Sequence, residues 1–381
     1  MEFIKDLSFN QQFIRTLGHA ARGGADLGEC LALIPRIIPG NFESWHDAFH
    51  QLGNQLRENA AQESSKQHFF SAGKKLLRAS NYYRTAYFFL EENPGDPRIK
   101  ERLEESKESF AKALDFLAIP HVMIQIPFEG SSLPAILYPS AVPDAKLLID
   151  TGGGDSTLEE LYFQSAVAAR ERGYHCLTFE GPGQGSVLRL GKTPFRPDWE
   201  VVIKAVLDFI DKTYPAMKSR VALRGDSFGG YLAVRAAAYE KRIKACVVNP
   251  GIFGVSKGLE KLPGAMMTSL LFALKPALRF KIKSRYMRFG VKNLQEMKER
   301  CREYTLEGKI KNISCPTLVF DNEEEHLTQG EALKLYQTLE CPKKYYVFKK
   351  EQRSGGHCQP FLPHETEEVL FDWLDEVLSI T

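Results

Sequence analysis

The sequence predicts an α/β protein: a mostly parallel, doubly wound sheet preceded by an all-helical domain and interrupted by a helical insertion. Three observations predict it. Short apolar runs alternate with helical patterns from about residue 119 onward, while residues 42 to 117 keep helical spacing without strand-like alternation. In addition, a glycine-rich serine turn stands where one apolar run meets a helical one.

The helical part comes first. In FESWHDAFHQLGNQLREN, Phe42, Trp45, Phe49, Leu52 and Leu56 recur at spacings of three and four, which places them on one helix face. SAGKKLLRASNYYRTAYFFLEEN continues in the same rhythm until NPGDP at 93–97 stops it with two prolines and a glycine. RIKERLEESKESFAKALDFL then reads as a third helix with a charged outer face. Residues 1–118 are expected to form a helical cap or association domain, and its aromatic content suggests a possible homodimer.

The second domain, 119–381, opens with HVMIQIPFEGSSLPAILYPS, two strands around an EGSS turn. Six apolar runs follow, at 145–151, 174–180, 220–226, 243–250, 316–321 and 343–349. Helical patterns at about 157–172, 198–213, 228–240 and 329–340 separate them, and EEVLFDWLDEVL closes the chain. This alternation requires crossover helices and therefore parallel pairing. The long gap from Gly251 to Cys315 is helical, basic and rich in Met and Phe. It is expected to be a lid of about 251–315 over the carboxyl edge of the sheet, where open α/β proteins bind ligands.

Composition narrows the function. The 381 residues suit two domains at roughly 150 each. Lys and Arg number 50 against 48 Asp and Glu, a net charge of +2, so a basic surface for nucleic acid is not expected and a neutral substrate is. No apolar run approaches the ~18 residues of a membrane span, and charges and amides break the first residues, unlike a secretory signal. Seven scattered cysteines without a C-x-x-C pair suggest reduced thiols and a cytoplasmic location.

The chemistry concentrates at RVALRGDSFGGYLAVRAAA. Gly225-Asp226-Ser227-Phe228-Gly229 fits G-x-S-x-G directly after a strand and before a helix. A serine held on so sharp a turn projects its hydroxyl from the sheet, and the flanking glycines leave room for the crowded backbone. The Phe228 backbone N–H, at the helix start, would face a developing oxyanion. A serine nucleophile needs a base and a group to orient that base. His357, in the glycine-flanked RSGGHCQP after the last strand, is the expected base. The acid should follow PTLVFD, where Asp321, Glu323, Glu324 and Glu325 stand together. A position just past the strand end favours Glu323 or Glu325, and Glu325 is the choice. LLIDTGGGDST would supply a second oxyanion donor, Gly154 by register, with Gly153 as its neighbour.

Other patterns carry less. GQGSVLRLGKT looks like a phosphate loop, but its Gly191-Lys192 would need a glycine where Ser186 stands, and Pro194 follows. No nucleotide or other cofactor is expected. His46 and His50 lie four apart on a helix without a third ligand, so a metal is not expected either. Cys358 is taken as packing beside His357 rather than as a nucleophile.

The segment from about 120 to 379 resembles the α/β-hydrolase superfamily through Gly225–Gly229, the glycines at 152–154 and His357. The whole chain is similar to a narrower group that holds 2,6-dihydropseudooxynicotine hydrolase and fungal polyketide-chain-shortening hydrolases. KKLLRASNYYRTAYFF, GGGDSTLEE, FEGPGQG, GDSFGG and CPKKYYVFKKEQRSGGHCQ carry that likeness. It implies a Ser227, Glu325, His357 triad and an acyl-enzyme formed on a small or medium carbonyl compound. The bond broken would lie between carbonyl-flanked carbons in some members and in an ester in others. Relatives often read E-x-D where this chain has Glu323-Glu324-Glu325, and often carry a bulkier residue at Gly154. For carbon–carbon cleavage, Asp226, Tyr231, Glu159 and lid residues are candidate enolate donors.

Overall fold

The computed structural model describes residues 1–256 and 276–379, so part of the expected lid, 257–275, lies outside the described residues. The chain forms two compact units, Met1–His121 with Pro263–Met287, and Val122–Leu262 with Arg288–Thr381.

In the first unit, helices Phe42–Ser65, Phe69–Tyr87 and Pro97–Phe116 follow the three apolar patterns. NPGDP both ends one helix and starts the next, because the Asp96 carboxylate accepts the Arg98 N–H and Pro97 occupies the first helical position. Two further helices, Leu7–Gly18 and Leu27–Leu33, precede them. Asp6 and Asn41 cap their helices in the same way. The core is aromatic: the Trp45 ring lies 4.8 Å from Phe49, 5.0 Å from Phe9 and 5.1 Å from Phe89. Its indole N–H donates to the Thr85 carbonyl at 2.9 Å, so the buried ring leaves no unmet donor. From the insertion, Phe280 joins this core 4.8 Å from Phe89.

The second unit is built on an eight-stranded sheet: β1 (Val122–Phe128), β2 (Ser131–Tyr138), β3 (Leu147–Asp150), β4 (His175–Phe179), β5 (Val221–Asp226), β6 (Ile243–Asn249), β7 (Thr317–Asn322) and β8 (Lys343–Phe348). Their order is β1-β2-β4-β3-β5-β6-β7-β8. β1 and β2 pair antiparallel, as does β2 with β4, and every later pair is parallel. β3 and β5 are buried throughout, as their unbroken apolar runs require with helices on both faces.

Helices Trp199–Thr213, Gly229–Ala237, Glu331–Thr338 and Pro363–Ser379 fall where the sequence pattern puts them. The stretch at 157–172 is less regular. Helices Leu158–Leu161 and Val167–Glu171 flank one π-helical turn, Tyr162–Ala166. Such a turn disturbs the backbone ladder, and the Gln164 carbonyl in it accepts from the Arg224 guanidinium at 2.6 Å. A side chain of β5 is thereby tied to the neighbouring helix, directly below the serine turn.

Candidate active site

The serine turn is made by sterics. β5 passes into Ser227, whose φ of +56° lies in the left-handed region, and helix Gly229–Ala237 begins two residues later. A Cβ on Gly225 would come within 2.1 Å of the Gly229 oxygen, and one on Gly229 within 2.0 Å of the Gly152 oxygen. Any side chain at either position would push the elbow open. The Ser227 N–H donates to the Asn249 carbonyl of β6 at 2.7 Å, which holds the strained residue in place. The Phe228 ring is wedged among Phe195 at 4.9 Å, Phe289 at 5.5 Å and Tyr304 at 5.6 Å.

Loops after β7 and β8 bring the other two groups. His357 Nε2 lies 2.8 Å from Ser227 Oγ, and His357 Nδ1 lies 2.6 Å from Glu325 Oε2. The second Glu325 oxygen accepts the backbone N–H groups of Leu327 at 2.7 Å and Thr328 at 3.2 Å. Burial would raise the Glu325 pKa, but its bonds to His357 and to those two amides outweigh this and take it down to about 2. At neutral pH it is a buried carboxylate. For His357, burial disfavours the imidazolium, while the Cys358 sulfur and the Glu325 carboxylate favour it, and the net direction is well upward. Burial also raises the Cys358 thiol, so near neutrality that sulfur is uncharged and Glu325 is the operative partner.

The other three acids are engaged elsewhere or lie apart. Asp321 accepts from the Tyr345 hydroxyl at 2.5 Å, Glu323 is paired with Lys349 at 2.9 Å, and the carboxylate reaching His357 is that of Glu325. Asn322, at the end of β7, links the two loops by donating to Ser354 Oγ at 2.6 Å and to the Gly356 carbonyl at 2.9 Å.

On the opposite side of Ser227, the glycine loop approaches closely: a Cβ on Gly153 would stand 3.1 Å from Ser227 Cβ. The Gly153 N–H is taken by Ser156 Oγ at 2.6 Å. Gly154 sits against Phe228, with a built Cβ 3.4 Å from Phe228 Cβ. Among the described residues no acceptor is bonded to the Gly154 or Phe228 amide. Three side chains that were not among the expected site residues support this arrangement: Asn322, Arg224 and Gln184. Gln184 is buried under the glycine loop and bonds its backbone.

The remaining candidates have other surroundings. Asp226 is paired with Arg224 at 2.6 Å, and burial, opposed by that guanidinium, pushes its carboxyl up to about 6. Tyr231 is buried behind Phe228, with Arg235 and Glu200 as its charged neighbours. Glu159 is buried near Tyr138. The loop at 183–193 contains the short helix Gly185–Arg189, around which the buried Glu180 carboxylate accepts from the Ser186 N–H at 2.7 Å and the Leu158 N–H at 3.1 Å. His46 bonds to Asp47 and His50 to Asn54, and among the described residues no cluster of three metal-ligating side chains occurs. Cys358 donates to the Asn249 carbonyl at 3.2 Å. Among the described residues no helix is long and apolar enough to cross a membrane.

An elbow serine after β5, an acid after β7 and a histidine after β8, on a mostly parallel sheet in this order, define the α/β-hydrolase class. No family model matches the chain. Hydrolase acrC of Aspergillus aculeatus is 35% identical over 350 residues, covering 82% of this chain and 81% of its own. Alpha/beta hydrolase psoB of Aspergillus fumigatus is 37% identical over 286 residues, covering 71% of this chain and 64% of its own. The solved structure of 2,6-dihydroxy-pseudo-oxynicotine hydrolase shares the fold at a TM-score of 0.77 and 22% identity, over 95% of both chains. The chain belongs to the α/β-hydrolase family and is a hydrolase.

Proposed function

We propose that this hydrolase works through a Ser227–His357–Glu325 triad and an acyl-enzyme, on a small or medium, partly apolar carbonyl compound. The observation that carries the reading is the unbroken line Ser227 Oγ, His357 Nε2 and Nδ1, Glu325 Oε2, at 2.8 Å and 2.6 Å. Such spacing is what proton transfer from a nucleophile requires. Ser227 Oγ forms a bond to the carbonyl carbon while its proton passes to His357 Nε2. The Phe228 and Gly154 N–H groups receive the oxyanion, and Glu325 balances the imidazolium. Collapse breaks the bond to the leaving group, which takes the proton from His357. Water, deprotonated by His357, then attacks the acyl carbon and releases Ser227.

The bond cleaved depends on the leaving group. An alkoxide needs one proton, which His357 holds. A carbanion needs donors aimed at an enolate as well. Asp226 is paired with Arg224, Tyr231 is buried beside Arg235 and Glu200, and Glu159 is buried near Tyr138. The ion pair withholds Asp226 from an enolate, which favours an ester over a bond between carbons. Two experiments test the reading. A fluorophosphonate probe is expected to label the wild type and not Ser227→Ala, and equal labelling of both would overturn the triad. An aryl acetate and a β-diketone offered in parallel, with products followed by mass spectrometry, decide the bond: turnover of the diketone alone would overturn the ester preference.

A further inference from the structure

We propose that Gln184 is a positioning residue for the oxyanion pocket, aiming the Gly154 N–H at the reacting carbonyl; this rests on the serine-hydrolase reading above. Gln184 lies in the FEGPGQG segment between β4 and the short helix Gly185–Arg189, and it is 1% exposed. Its carboxamide makes three hydrogen bonds. Nε2 donates to the Thr151 carbonyl at 2.7 Å and to the Gly153 carbonyl at 2.9 Å, while Oε1 accepts the Gly181 N–H at 2.9 Å. Because the Gly181 N–H can only donate, it fixes which end of the amide faces the glycine loop.

The consequence follows from peptide planarity. In a trans peptide the C=O of one residue and the N–H of the next point in opposite directions. With the Gly153 carbonyl drawn onto Gln184, the Gly154 N–H must point away from Gln184. Gly153 cannot substitute for it, because its own N–H is held by Ser156 Oγ at 2.6 Å. The glycines would otherwise let this peptide rotate, since two glycines side by side have wide conformational freedom. Gln184 removes that freedom at the peptide whose orientation matters. An oxyanion donor is effective only when it is held in place before charge develops.

The test uses the full chain, a fluorophosphonate probe and two variants. Gln184→Met keeps the volume and loses all three bonds. Its limiting labelling rate is expected to fall roughly 10- to 100-fold, less than the ~10²–10³ for complete loss of one donor, with probe affinity within about twofold and labelling still reaching one per chain. A labelling rate equal to wild type would overturn the proposal while leaving the Ser227 reading intact. Should Gln184→Met fail to reach full labelling, Gln184→Glu decides. Its carboxylate can accept from Gly181 but cannot donate to Thr151 or Gly153, whereas its protonated form can donate once. The ratio of its labelling rate to wild type is expected to rise as pH is lowered, and a flat ratio would overturn the proposal. If the wild type and Ser227→Ala label alike, the serine-hydrolase reading itself has failed, a result distinct from either outcome at Gln184.

Discussion

Glu325→Gln isolates the role of the carboxylate with the smallest change in shape. In the native site the two oxygens have separate duties: Oε2 faces His357 Nδ1 at 2.6 Å, and Oε1 accepts the Leu327 and Thr328 N–H groups. A carboxamide has one oxygen to cover both. If that oxygen turned to His357, its NH₂ would confront two buried backbone donors, each costing about 1–3 kcal/mol when left unmet. The oxygen therefore stays with the backbone, and the NH₂ faces Nδ1. Nδ1 must then become the acceptor, which moves the imidazole proton to Nε2, opposite Ser227 Oγ. There it donates to the serine and cannot accept its proton. A wrong tautomer of this kind costs on the order of 10³–10⁴ in rate, or about 4–5.5 kcal/mol in the barrier. The assay is the limiting rate of fluorophosphonate labelling together with aryl acetate hydrolysis, at the pH optimum of each protein. Glu323→Gln serves as the control, since Glu323 is exposed and paired with Lys349. Retention of more than a tenth of wild-type rate in Glu325→Gln, or an equal loss in Glu323→Gln, would refute the assignment.

Three further outcomes are expected. On the proposed mechanism the base form of His357 is the active one, and Glu325→Gln, lacking the charge that favours the imidazolium, should move the acid limb of kcat/KM downward in a pH–rate profile. The depressed Glu325 pKa gives stability that is present above about pH 4.5 and lost as pH falls toward 2, so urea denaturation should show a shallower acid loss in Glu325→Gln than in wild type. Arg224→Met leaves Asp226 buried without its cation, which should cost about 3–5 kcal/mol at neutral pH by urea denaturation, and less as Asp226 protonates on acidification; an unchanged midpoint would mean that the pair does not hold the elbow.

What could be seen in advance divides along a physical line. The parallel sheet was legible because crossover helices impose a rhythm on local sequence. Ser227 was legible because the elbow needs glycines at fixed offsets, and the structure shows why: at Gly225 and Gly229 a Cβ would run into backbone oxygens. His357 and the acidic loop followed from strand order. The choice among Asp321, Glu323 and Glu325 was harder. Four acidic side chains in five residues have nearly the same local signal, and their fates differ through partners far away in sequence: Tyr345, Lys349 and His357. The first two helices escaped notice because Leu7–Gly18 mixes amides and a charge with its apolar residues, and Leu27–Leu33 is short.

The same division explains why FEGPGQG shows a family likeness in sequence but no sign of what its polar side chains do. Its glycines are a local signal, but its work is done over distance. Glu180 satisfies N–H groups at two helix starts, and Gln184 holds carbonyls more than thirty residues earlier in the chain. Both side chains are buried polar groups with their bonds met, and such groups carry no periodicity from which burial could be inferred. They have a common consequence. A nucleophile on a strained turn is useful only if the donors facing it do not drift, and a glycine loop drifts unless something holds it. Here the glycines provide close approach to Ser227, and the amide of Gln184 and hydroxyl of Ser156 restore the rigidity that the glycines give up.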